Sequence, residues 1–551
     1  MEAQNSLRWD MGTLYYGDNL DILKRYIADE SVDLVYLDPP FNSAQSYNAF
    51  FHEKDGTEAA SQIRAFEDTW SWNIESQKVY DELTMQAGKV SEVLVAFRTF
   101  LGTNDMMAYL AMMAPRLVEL KRVLKPTGSL YLHCDPTASH YLKILCDAVF
   151  GLACYRNEII WQRTTAGKPI FRNLPKNSDT IFWYSKTEEY LFKPIFLPLT
   201  EEDKATFNRD DNDGRGPYNT QPIINPGDRP NLKYIYKDAN GKLWPSPKTG
   251  WRFNEERMRQ LEKDGRLVFG KTSIREKYYL NEREAKGKQL PNIWTDIPIV
   301  SGDERLGYPT QKPVALLERI IKASSNEGDT VLDPFCGCGT TIDAAEKLKR
   351  KWIGIDITQL ATSLIKNRLR DTYGEKIEIK TMGEPVSVQD AIALAERDKY
   401  QFQWWALGLK GVDARPVEQK KGADHGIDGK ILFRDDPRAT KPEQIIIQVK
   451  GGHTSVKDVR DLRGVLDREK AAIGVLITLE EPTKPMKEEA ASMGFYTHQM
   501  NGQKFPKLQL RTIKELMEGR GIERPSNVAA TDETFKKAKA RGKKDEQTTM
   551  F

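Results

Sequence analysis

Near the N-terminus, a strand-like apolar run, VDLVYL, ends on residues that could hold a planar base. It is followed by Asp38, Pro39, Pro40 and Phe41. The Asp38 carboxylate and the Pro39 carbonyl accept hydrogen bonds, Pro40 stiffens the turn, and Phe41 offers a flat apolar face. Two acceptors beside a ring suit a heterocycle with an exocyclic NH2 group, because binding both N–H bonds would draw the nitrogen lone pair out of the ring. A capped turn with a core phenylalanine explains the same residues without any function, so the turn alone leaves both interpretations open.

A glycine-rich turn in VLDPFCGCGTT forms the second candidate site. It lies between a predicted strand and a predicted helix, where Gly337 and Gly339 permit a tight turn and the helix N-terminus offers free N–H groups. Asp333 ends the first strand and Asp356 ends the next one. An acid at the second position suits hydrogen bonds to ribose hydroxyls, as in dinucleotide-binding folds. Together these residues predict a nucleoside cofactor, although the turn is not the G-x-G-x-x-G pattern.

The C-terminal part of the chain carries a third candidate site, in GADHGIDG and QIIIQVK. Residues two apart on an extended strand share a face, so Gln448 and Lys450 point the same way. With Asp428 on the partner strand of a predicted hairpin, they could hold a divalent cation and position a hydroxide. Such triplets also arise by chance, and the spacing alone does not require a catalytic site.

The first two motifs, taken in their order, resemble one group of enzymes. DPPF with a distant FxGxG is similar to the S-adenosylmethionine-dependent amino-methyltransferases of DNA. DPPF comes first, an insert follows and FCGCG comes late, which resembles the permuted, beta-type group. The segment YPTQKPVALLERIIKASS resembles that group's motif flanking the methionine end of the cofactor. The resemblance covers roughly residues 12 to 380.

The resemblance implies a role for each matching position. The target base would be held by Asp38, Pro39, Pro40 and Phe41. The cofactor, S-adenosyl-L-methionine, would be held by Phe335, Gly337, Gly339 and Asp356. Asp333 would brace the glycine turn or meet the amino end of the cofactor. The cofactor pocket would be flanked by Thr310, Gln311, Lys312 and Pro313. No cysteine nucleophile is needed, because an exocyclic amine attacks the sulfonium directly, and Cys336 is expected to pack in the turn.

The same resemblance favours the N6 amino group of adenine in DNA as the methyl acceptor. The DPPY-type motif most often marks adenine, whereas the cytosine-N4 enzymes usually begin it with Ser, and Phe41 in place of Tyr keeps the stacking face. The glutamine methyltransferases usually begin this motif with Asn, which argues against a protein substrate. Two alternatives stay open: cytosine-N4 methylation with a C-terminal domain that only binds DNA, and a non-catalytic DNA-binding regulator. The intact DPPF and glycine turn argue against the regulator.

The C-terminal motif resembles the Mrr-like branch of the PD-(D/E)xK nucleases, in which Gln replaces the usual acid. Asp428, Gln448 and Lys450 match its pattern, and Glu418 is a candidate for the upstream acid of some members. The resemblance implies a DNA endonuclease that uses Mg2+, with Asp428 and Gln448 as the metal ligands. Methyltransferase and nuclease-like domains in one chain imply a restriction-modification system.

Alternating strand-like and helix-like segments must position these motifs. The sequence predicts a helix over NLDILKRY capped by Asn19, a helix over ASHYLKILCDAVF closed by Gly151, and strands over DTVLDPF and KWIGIDI. The predicted fold class is α/β. It comprises a Rossmann-like methyltransferase sheet with an inserted target-recognition region and a second α/β domain resembling restriction endonucleases.

The 551 residues suggest several domains. The predicted boundaries are a methyltransferase domain at 1–380 with the insert at about 164–306, a linker at 381–389, a nuclease-like domain at 390–524 and a disordered basic tail at 525–551. Phosphate and base contacts are expected from basic residues at the insert: Arg163, Lys168, Arg172, Lys176, Arg229 and Lys233.

Composition limits the partners and the compartment. The net charge is only +3, so double-stranded DNA, the expected partner, must be met by local basic patches. We expect no membrane association, because no apolar run is long enough to span a bilayer, and the N-terminus lacks the pattern of a signal peptide. The five cysteines are few for this length, and we expect them to be reduced thiols of a cytoplasmic protein. The sequence leaves open whether the chain forms a homodimer.

Overall fold

The computed structural model describes residues 12–40, 72–164, 174–306, 310–374, 376–417, 426–435, 441–525, 531–532 and 534. The predictions for Phe41, Lys168, Arg172, Glu418 and nearly all of the basic tail therefore lie outside the described residues. The chain divides into two compact units, of which one is Lys193–Pro291 and the other comprises the remainder. Within the described residues, no helix combines the length and apolar content needed to cross a bilayer.

The first part of the chain alternates strands and helices. Its elements are β1 (Thr13–Tyr16), α1 (Asn19–Tyr26), β2 (Val32–Leu37), α2 (Ile74–Thr84), α3 (Lys89–Leu101), α4 (Asp105–Val123), β3 (Leu124–Cys134), α5 (Ser139–Phe150), β4 (Tyr155–Gln162) and β5 (Ser178–Ser185). The predicted helix closed by Gly151 is confirmed as α5, where this glycine has a φ of +92°. Helices α2, α3 and α4 were not predicted from the sequence.

The smaller unit, Lys193–Pro291, contains mostly short elements. They are β6 (Phe196–Leu197), α6 (Glu201–Ala205), β7 (Tyr218–Pro222), β8 (Tyr236–Lys237), β9 (Leu243–Trp244), α7 (Glu255–Lys263), β10 (Leu267–Phe269), β11 (Ile274–Tyr279), α8 (Leu280–Lys286) and β12 (Lys288–Gln289). Strands β10, β11 and β7 form an antiparallel sheet. A small aromatic core that includes Tyr236, Trp244 and Trp251 stabilises this unit.

The α/β alternation then resumes. The next elements are β13 (Ile293–Trp294), α9 (Val314–Ser324), β14 (Thr330–Asp333), α10 (Thr340–Lys347), β15 (Lys351–Asp356), α11 (Gln359–Tyr373) and β16 (Lys380–Met382). The last part contains α12 (Val388–Arg397), α13 (Lys399–Leu407), β17 (Arg415–Pro416), β18 (Gly429–Arg434), β19 (Glu443–Lys450), α14 (Val456–Glu469), β20 (Ile473–Thr478), α15 (Lys484–Ala491), β21 (Phe495–Thr497), β22 (Lys504–Pro506), β23 (Leu508–Thr512), α16 (Ile513–Met517) and β24 (Thr531–Asp532).

The central sheet has the order β13-β4-β5-β3-β2-β14-β15-β1-β16. Its pairings are parallel except those of β5, which runs antiparallel to both β3 and β4. From β14 the chain passes through α10 to β15, its neighbour on one side. From β2 the chain passes through helices to β3, which lies on the opposite side. The strand order therefore reverses between β2 and β14, and ligands of such sheets bind at that position, beyond the carboxyl ends of the strands. The predicted α/β sheet is confirmed.

The N-cap of helix α1 lies one residue earlier than predicted. The cap is Asp18, whose carboxylate accepts hydrogen bonds from Leu20 N and Asp21 N, so the prediction of Asn19 was wrong. Asn19 instead is the first helical residue, where its buried amide donates to Pro334 O at 2.7 Å and accepts from Arg116 Nε at 2.6 Å. These contacts tie α1 to the glycine turn and to α4, which explains why the buried asparagine lies inside the helix.

A second sheet has the order β17-β18-β19-β20-β23. Strands β18 and β19 are antiparallel and form the predicted hairpin, whereas β19, β20 and β23 are mutually parallel. Helix α13 contributes Phe402, Trp404 and Trp405 to the core of this sheet. The same helix contacts the first sheet, because Tyr16 Oη donates to Gln401 Oε1 at 3.0 Å in a buried position.

Replacing Gly339 by alanine is expected to lower thermal stability more than replacing Gly328 by alanine. Both glycines have a positive φ, +76° and +82°, so each substitution adds about 1–2 kcal/mol of backbone strain. A Cβ at Gly339 would also lie 2.7 Å from Ile365 Cγ1 on α11, whereas nothing lies within 4 Å of the corresponding atom at Gly328. Scanning fluorimetry of the two variants checks this expectation, and equal shifts in melting temperature would contradict it.

Candidate functional sites

Asp38 lies directly after β2, at the point where the strand order of the central sheet reverses. Its side chain is 15% exposed. One oxygen, Oδ2, accepts a hydrogen bond from the Lys312 ammonium. The other, Oδ1, is buried and has no hydrogen-bond partner among the described residues. Since a buried acceptor without a donor is costly, this oxygen is a ready position for an N–H group of a ligand.

The remaining residues of the predicted base-binding turn are placed in part. Pro39 is buried and Pro40 is partly buried at the end of β2. Phe41 lies outside the described residues. The turn therefore presents one free carboxylate oxygen within a rigid segment, and the stacking face stays a prediction.

Asp333 holds the glycine turn from beneath. Its Oδ1 accepts from Phe335 N at 3.0 Å, and its Oδ2 accepts from Thr341 Oγ1 at 2.5 Å. The side chain is fully enclosed, and burial raises the pKa of Asp333 to about 7 against the opposing effect of these two donors. The ionisation of Asp333 therefore changes near neutral pH.

Asp356 holds the other side of the same turn. Its Oδ2 accepts from Gly337 N at 2.9 Å, and its Oδ1 accepts from Thr358 N and from Thr358 Oγ1. Burial raises the pKa of the Asp356 carboxyl above its usual range, and these donors oppose the rise. Oδ2 is the oxygen that contacts the glycine turn, and a ribose hydroxyl bound there would be a further donor to it.

The two glycines of the turn have the positive φ values that a tight turn requires. Gly337 and Gly339 have φ values of +48° and +76°. Gly339 caps α10, an eight-residue helix whose N-terminus faces the carboxyl ends of β14 and β15. Cys336 and Cys338 are buried beside them, and burial raises the pKa of both thiols, so neither is a thiolate nucleophile at neutral pH.

The segment that precedes α9 connects the glycine-turn side of the sheet to Asp38. Gln311 is buried, and its amide accepts from Leu306 N and donates to Glu304 O. Pro313 is the N-cap residue of α9, and Thr310 is exposed. Lys312 reaches across to Asp38, and both side chains are largely buried, 13% and 15% exposed. This segment thus contacts the base-binding turn as well as lying at the predicted cofactor pocket.

A buried chain of polar groups that the sequence analysis did not identify runs beside Asp38. Tyr36 Oη lies 2.9 Å from His133 Nδ1, and His133 Nε2 lies 3.1 Å from Asp179 Oδ2. Arg163 Nε lies 3.2 Å from the other oxygen of Asp179. Burial acts to raise the pKa of Asp179, but His133, Lys312 and Arg163 hold it below its usual value. No spacing in the sequence connects these residues, since they come together only through the register of β2, β3, β5 and β4.

The basic residues predicted to contact DNA have differing surroundings. Arg163 is engaged with Asp179, and its Nη2 donates to Lys176 O. Lys176 and Arg229 are exposed. Lys233 forms an ion pair with Asp228 at 2.5 Å. Arg163 therefore has a structural partner already, whereas Lys176 and Arg229 lie at the surface as a phosphate-binding role requires.

The third candidate site lies at the β18–β19 hairpin. Asp428 and Gln448 are opposite each other, because Asp428 N donates to Ile447 O at 2.9 Å and Gly429 pairs with Ile447. Asp428 Oδ2 accepts from Val449 N at 2.7 Å. The Gln448 amide nitrogen donates to Gly426 O, which leaves its carbonyl oxygen as the ligand atom. Lys450 is the last residue of β19 and is partly exposed.

The hairpin thus brings together all three residues of the predicted nuclease site. Two side-chain oxygens, from Asp428 and Gln448, fit the oxygen preference of Mg2+, and a cation that is held by few protein ligands keeps several waters. No group of three or more acidic, histidine or cysteine side chains suited to a metal ion occurs among the described residues. Glu418, the candidate for a further acid, lies outside them.

Two family models match successive parts of this chain. A model described as DNA methylase matches residues 32–367, which is more than half of the sequence. A model described as restriction endonuclease matches residues 404–524. The first match contains the central sheet from β2 to β15 and both the Asp38 turn and the glycine turn. The second contains the β18–β19 hairpin.

Curated proteins and solved structures are similar to part of this chain. M.EcaI, a type II methyltransferase of Enterobacter cloacae, is 27% identical over 64% of this chain and 68% of its own length. The Mod subunit of the type III restriction-modification enzyme StyLTI of Salmonella typhimurium is 25% identical over 61% of this chain, which spans only 50% of that subunit. The DNA adenine methyltransferase YhdJ of Escherichia coli K12 is 24% identical over 63% of this chain and 78% of its own length. A putative DNA modification methylase of Thermus thermophilus, solved with S-adenosyl-L-methionine, covers 67% of this chain and 98% of its own at 16% identity and a TM-score of 0.33.

Three observations point to the same family. They are the order of the motifs, the position of Asp38 where the strand order reverses, and the extent of the first match. The chain belongs to the DNA methylase family and carries a restriction endonuclease domain after its methyltransferase domain.

Proposed function

We propose that this chain transfers a methyl group from S-adenosyl-L-methionine to the N6 amino group of adenine in double-stranded DNA, as the modification activity of a restriction-modification system. The observation that carries the proposal is Asp38 Oδ1, a buried acceptor without a donor among the described residues. The DPPF order of the turn and the naming of a relative, YhdJ, as a DNA adenine methyltransferase support adenine over cytosine.

In this proposal the Asp38 turn activates the amine. Asp38 Oδ1 and the Pro39 carbonyl each accept one N–H of the amino group, which turns the nitrogen lone pair out of the ring. The nitrogen forms a bond to the methyl carbon while the carbon–sulfur bond breaks and its electron pair stays on sulfur. The methylated nitrogen then loses a proton. The carboxylate stabilises the positive charge that develops on the nitrogen, and Phe41 stacks on the base.

The cofactor is proposed to lie on the glycine turn. Gly337 and Gly339 give this turn its two positive φ values, and α10 begins directly after it, so its first N–H groups lie next to the turn. Asp356 would bind the ribose through Oδ2, and Asp333 would brace the turn or meet the α-ammonium group. Because the target base must reach the carboxyl ends of the strands, it has to leave the duplex stack. Lys176 and Arg229, each exposed in its own unit, are the proposed phosphate contacts.

The C-terminal domain is proposed to be a DNA endonuclease that uses Mg2+. The convergence of Asp428, Gln448 and Lys450 at one hairpin supports this activity. A divalent cation bound there would lower the pKa of a water and neutralise phosphate charge. Asp428 and the Gln448 carbonyl would hold that cation, and the Lys450 ammonium would stabilise charge on the phosphate as it is attacked. A neutral amide binds a cation less strongly than a carboxylate does, so we expect a millimolar requirement for magnesium.

Asp38→Ala is expected to abolish methyl transfer while it leaves cofactor affinity unchanged. The variant loses the acceptor aimed at the amine, which typically costs a factor of about a hundred or more in rate. Tritium transfer from labelled S-adenosyl-L-methionine to plasmid DNA measures the rate, and calorimetry measures the affinity. Full activity in the folded variant would refute the assignment of Asp38.

Cofactor affinity is expected to depend on pH if Asp333 meets the α-ammonium group. Its pKa of about 7 in the free protein would fall when the cation binds, so binding below that pH releases a proton. Affinity should then be constant above pH 7 and fall by at most about tenfold per pH unit below it. Calorimetry across this range tests the expectation, with Asp333→Asn as the control that removes the dependence. Parallel profiles would leave Asp333 with only its bracing role.

Asp428→Ala and Lys450→Ala are each expected to stop DNA cleavage and to leave methyl transfer intact, because both side chains belong to the second sheet. Lys441→Ala, at an exposed position just before β19, is the matched control and should cut like the parent. The measurement is nicking of methylated and unmethylated plasmid with magnesium. Failure of the parent to cut either plasmid would make this domain a DNA-binding module, and full cutting by Lys450→Ala would overturn the site assigned to Lys450.

A further inference from the structure

Lys312 is the ionic partner of Asp38, the acid placed at the reacting amine. It comes from the segment just before α9, 274 residues away in sequence, and its ammonium donates to Asp38 Oδ2. Both side chains are largely enclosed, 13% and 15% exposed. A carboxylate buried to this extent requires a countercharge or donors to remain ionised, because desolvation disfavours the charged form.

The neighbouring acids do not depend on Lys312 in this way. Asp333 has Phe335 N and Thr341 Oγ1 as donors, and Asp356 has Gly337 N and Thr358. Asp179 has His133 at 3.1 Å and Arg163 at 3.2 Å. Among the described donors, Asp38 is balanced by one ammonium, which occupies one of its two oxygens.

The division of the two oxygens has a chemical consequence. A protonated carboxyl would direct an O–H at the amine and oppose the lone pair that must attack. A carboxylate that could rotate would not present one defined oxygen to the amine. The ion pair fixes the orientation of the carboxylate, because the ammonium holds Oδ2 and leaves Oδ1 as the acceptor.

We propose that Lys312 is a positioning residue for methyl transfer, which binds Oδ2 of Asp38 and thereby presents its Oδ1 to the amino group of the target base. This inference rests on the proposed function of Asp38. It assigns Lys312 to the catalytic aspartate, whereas the sequence resemblance alone implied a place at the cofactor pocket.

The test compares three full-length variants in the tritium-transfer assay with unmethylated plasmid DNA. Lys312→Met should lower kcat by about thirtyfold or more, the usual consequence of removing one member of a buried charge pair. Its affinity for S-adenosyl-L-methionine, measured by calorimetry, should remain within about threefold of the parent, since the ammonium bonds to Asp38. Lys312→Arg should restore most of kcat, because a guanidinium also donates to a carboxylate. Lys322→Met, at a half-exposed position on the same α9, is the matched control and should behave like the parent.

Two results would overturn the inference. Unchanged kcat in Lys312→Met would show that Asp38 needs no ionic partner. Weakened cofactor binding with unchanged kcat at saturation would place Lys312 in the cofactor pocket. In either case an inactive Asp38→Ala variant would leave the role of Asp38 standing, whereas a parent protein that transfers no methyl group to DNA would remove the proposed function itself.

A folding defect in Lys312→Met is resolved by the double variant Asp38→Asn/Lys312→Met. The double variant carries no unpaired charge, so it should fold and bind S-adenosyl-L-methionine, and it should be inactive in transfer. Recovery of the parent melting temperature in the double variant supports the ion pair as the reason for the defect. A double variant that also fails to fold would show that the lysine side chain serves packing, and the inference would be overturned.

Discussion

Four carboxylates are enclosed at the carboxyl-end edge of one sheet, and each must be compensated where it lies. The glycine turn donates hydrogen bonds to Asp333 and to Asp356, and the N-terminus of α11 donates to Asp356 as well. The side chains of His133 and Arg163 contact Asp179. Asp38 receives one ammonium and keeps one oxygen without a donor among the described residues. The desolvation of these acids is therefore the constraint that fixes the turns around them, because each turn supplies the donors that a buried carboxylate requires.

This constraint connects the fold to the proposed chemistry. Asp333 accepts from Phe335 N and Asp356 accepts from Gly337 N, so both acids hold the glycine turn at the position proposed for the cofactor. Asp38 lies across the reversal of strand order, on β2 beside β14, so a base bound there faces a cofactor bound on the glycine turn. The one carboxylate oxygen left without a described donor lies where the reacting amine is expected. In the restriction endonuclease domain, the hairpin places Asp428 and Gln448 opposite each other, where we propose that a cation binds.

Much of this arrangement could be predicted from local sequence, and the remainder could not for physical reasons. Apolar runs that end on Asp38, Asp333 and Asp356 mark strands and the acids beyond them, and the β18–β19 hairpin follows from its two apolar segments. Helix α4 was missed because buried residues surround it and Pro115 lies within it, so no polar face marks it as a helix. The cap of α1 was misplaced because Asp18 and Asn19 are both good capping residues, and the choice depends on Arg116 and Pro334, far away in sequence. The Lys312–Asp38 pair and the Tyr36–His133–Asp179 chain depend on strand register, which no local pattern contains.

The most direct test of the central claim identifies the methylated base. The full chain is incubated with S-adenosyl-L-methionine that carries a deuterated methyl group and with unmethylated double-stranded DNA. The DNA is then digested to nucleosides and analysed by mass spectrometry. The account predicts the deuterated methyl group on the N6 nitrogen of deoxyadenosine and on no other base. Label on the N4 nitrogen of deoxycytidine, or no label with folded, cofactor-binding protein, would contradict it.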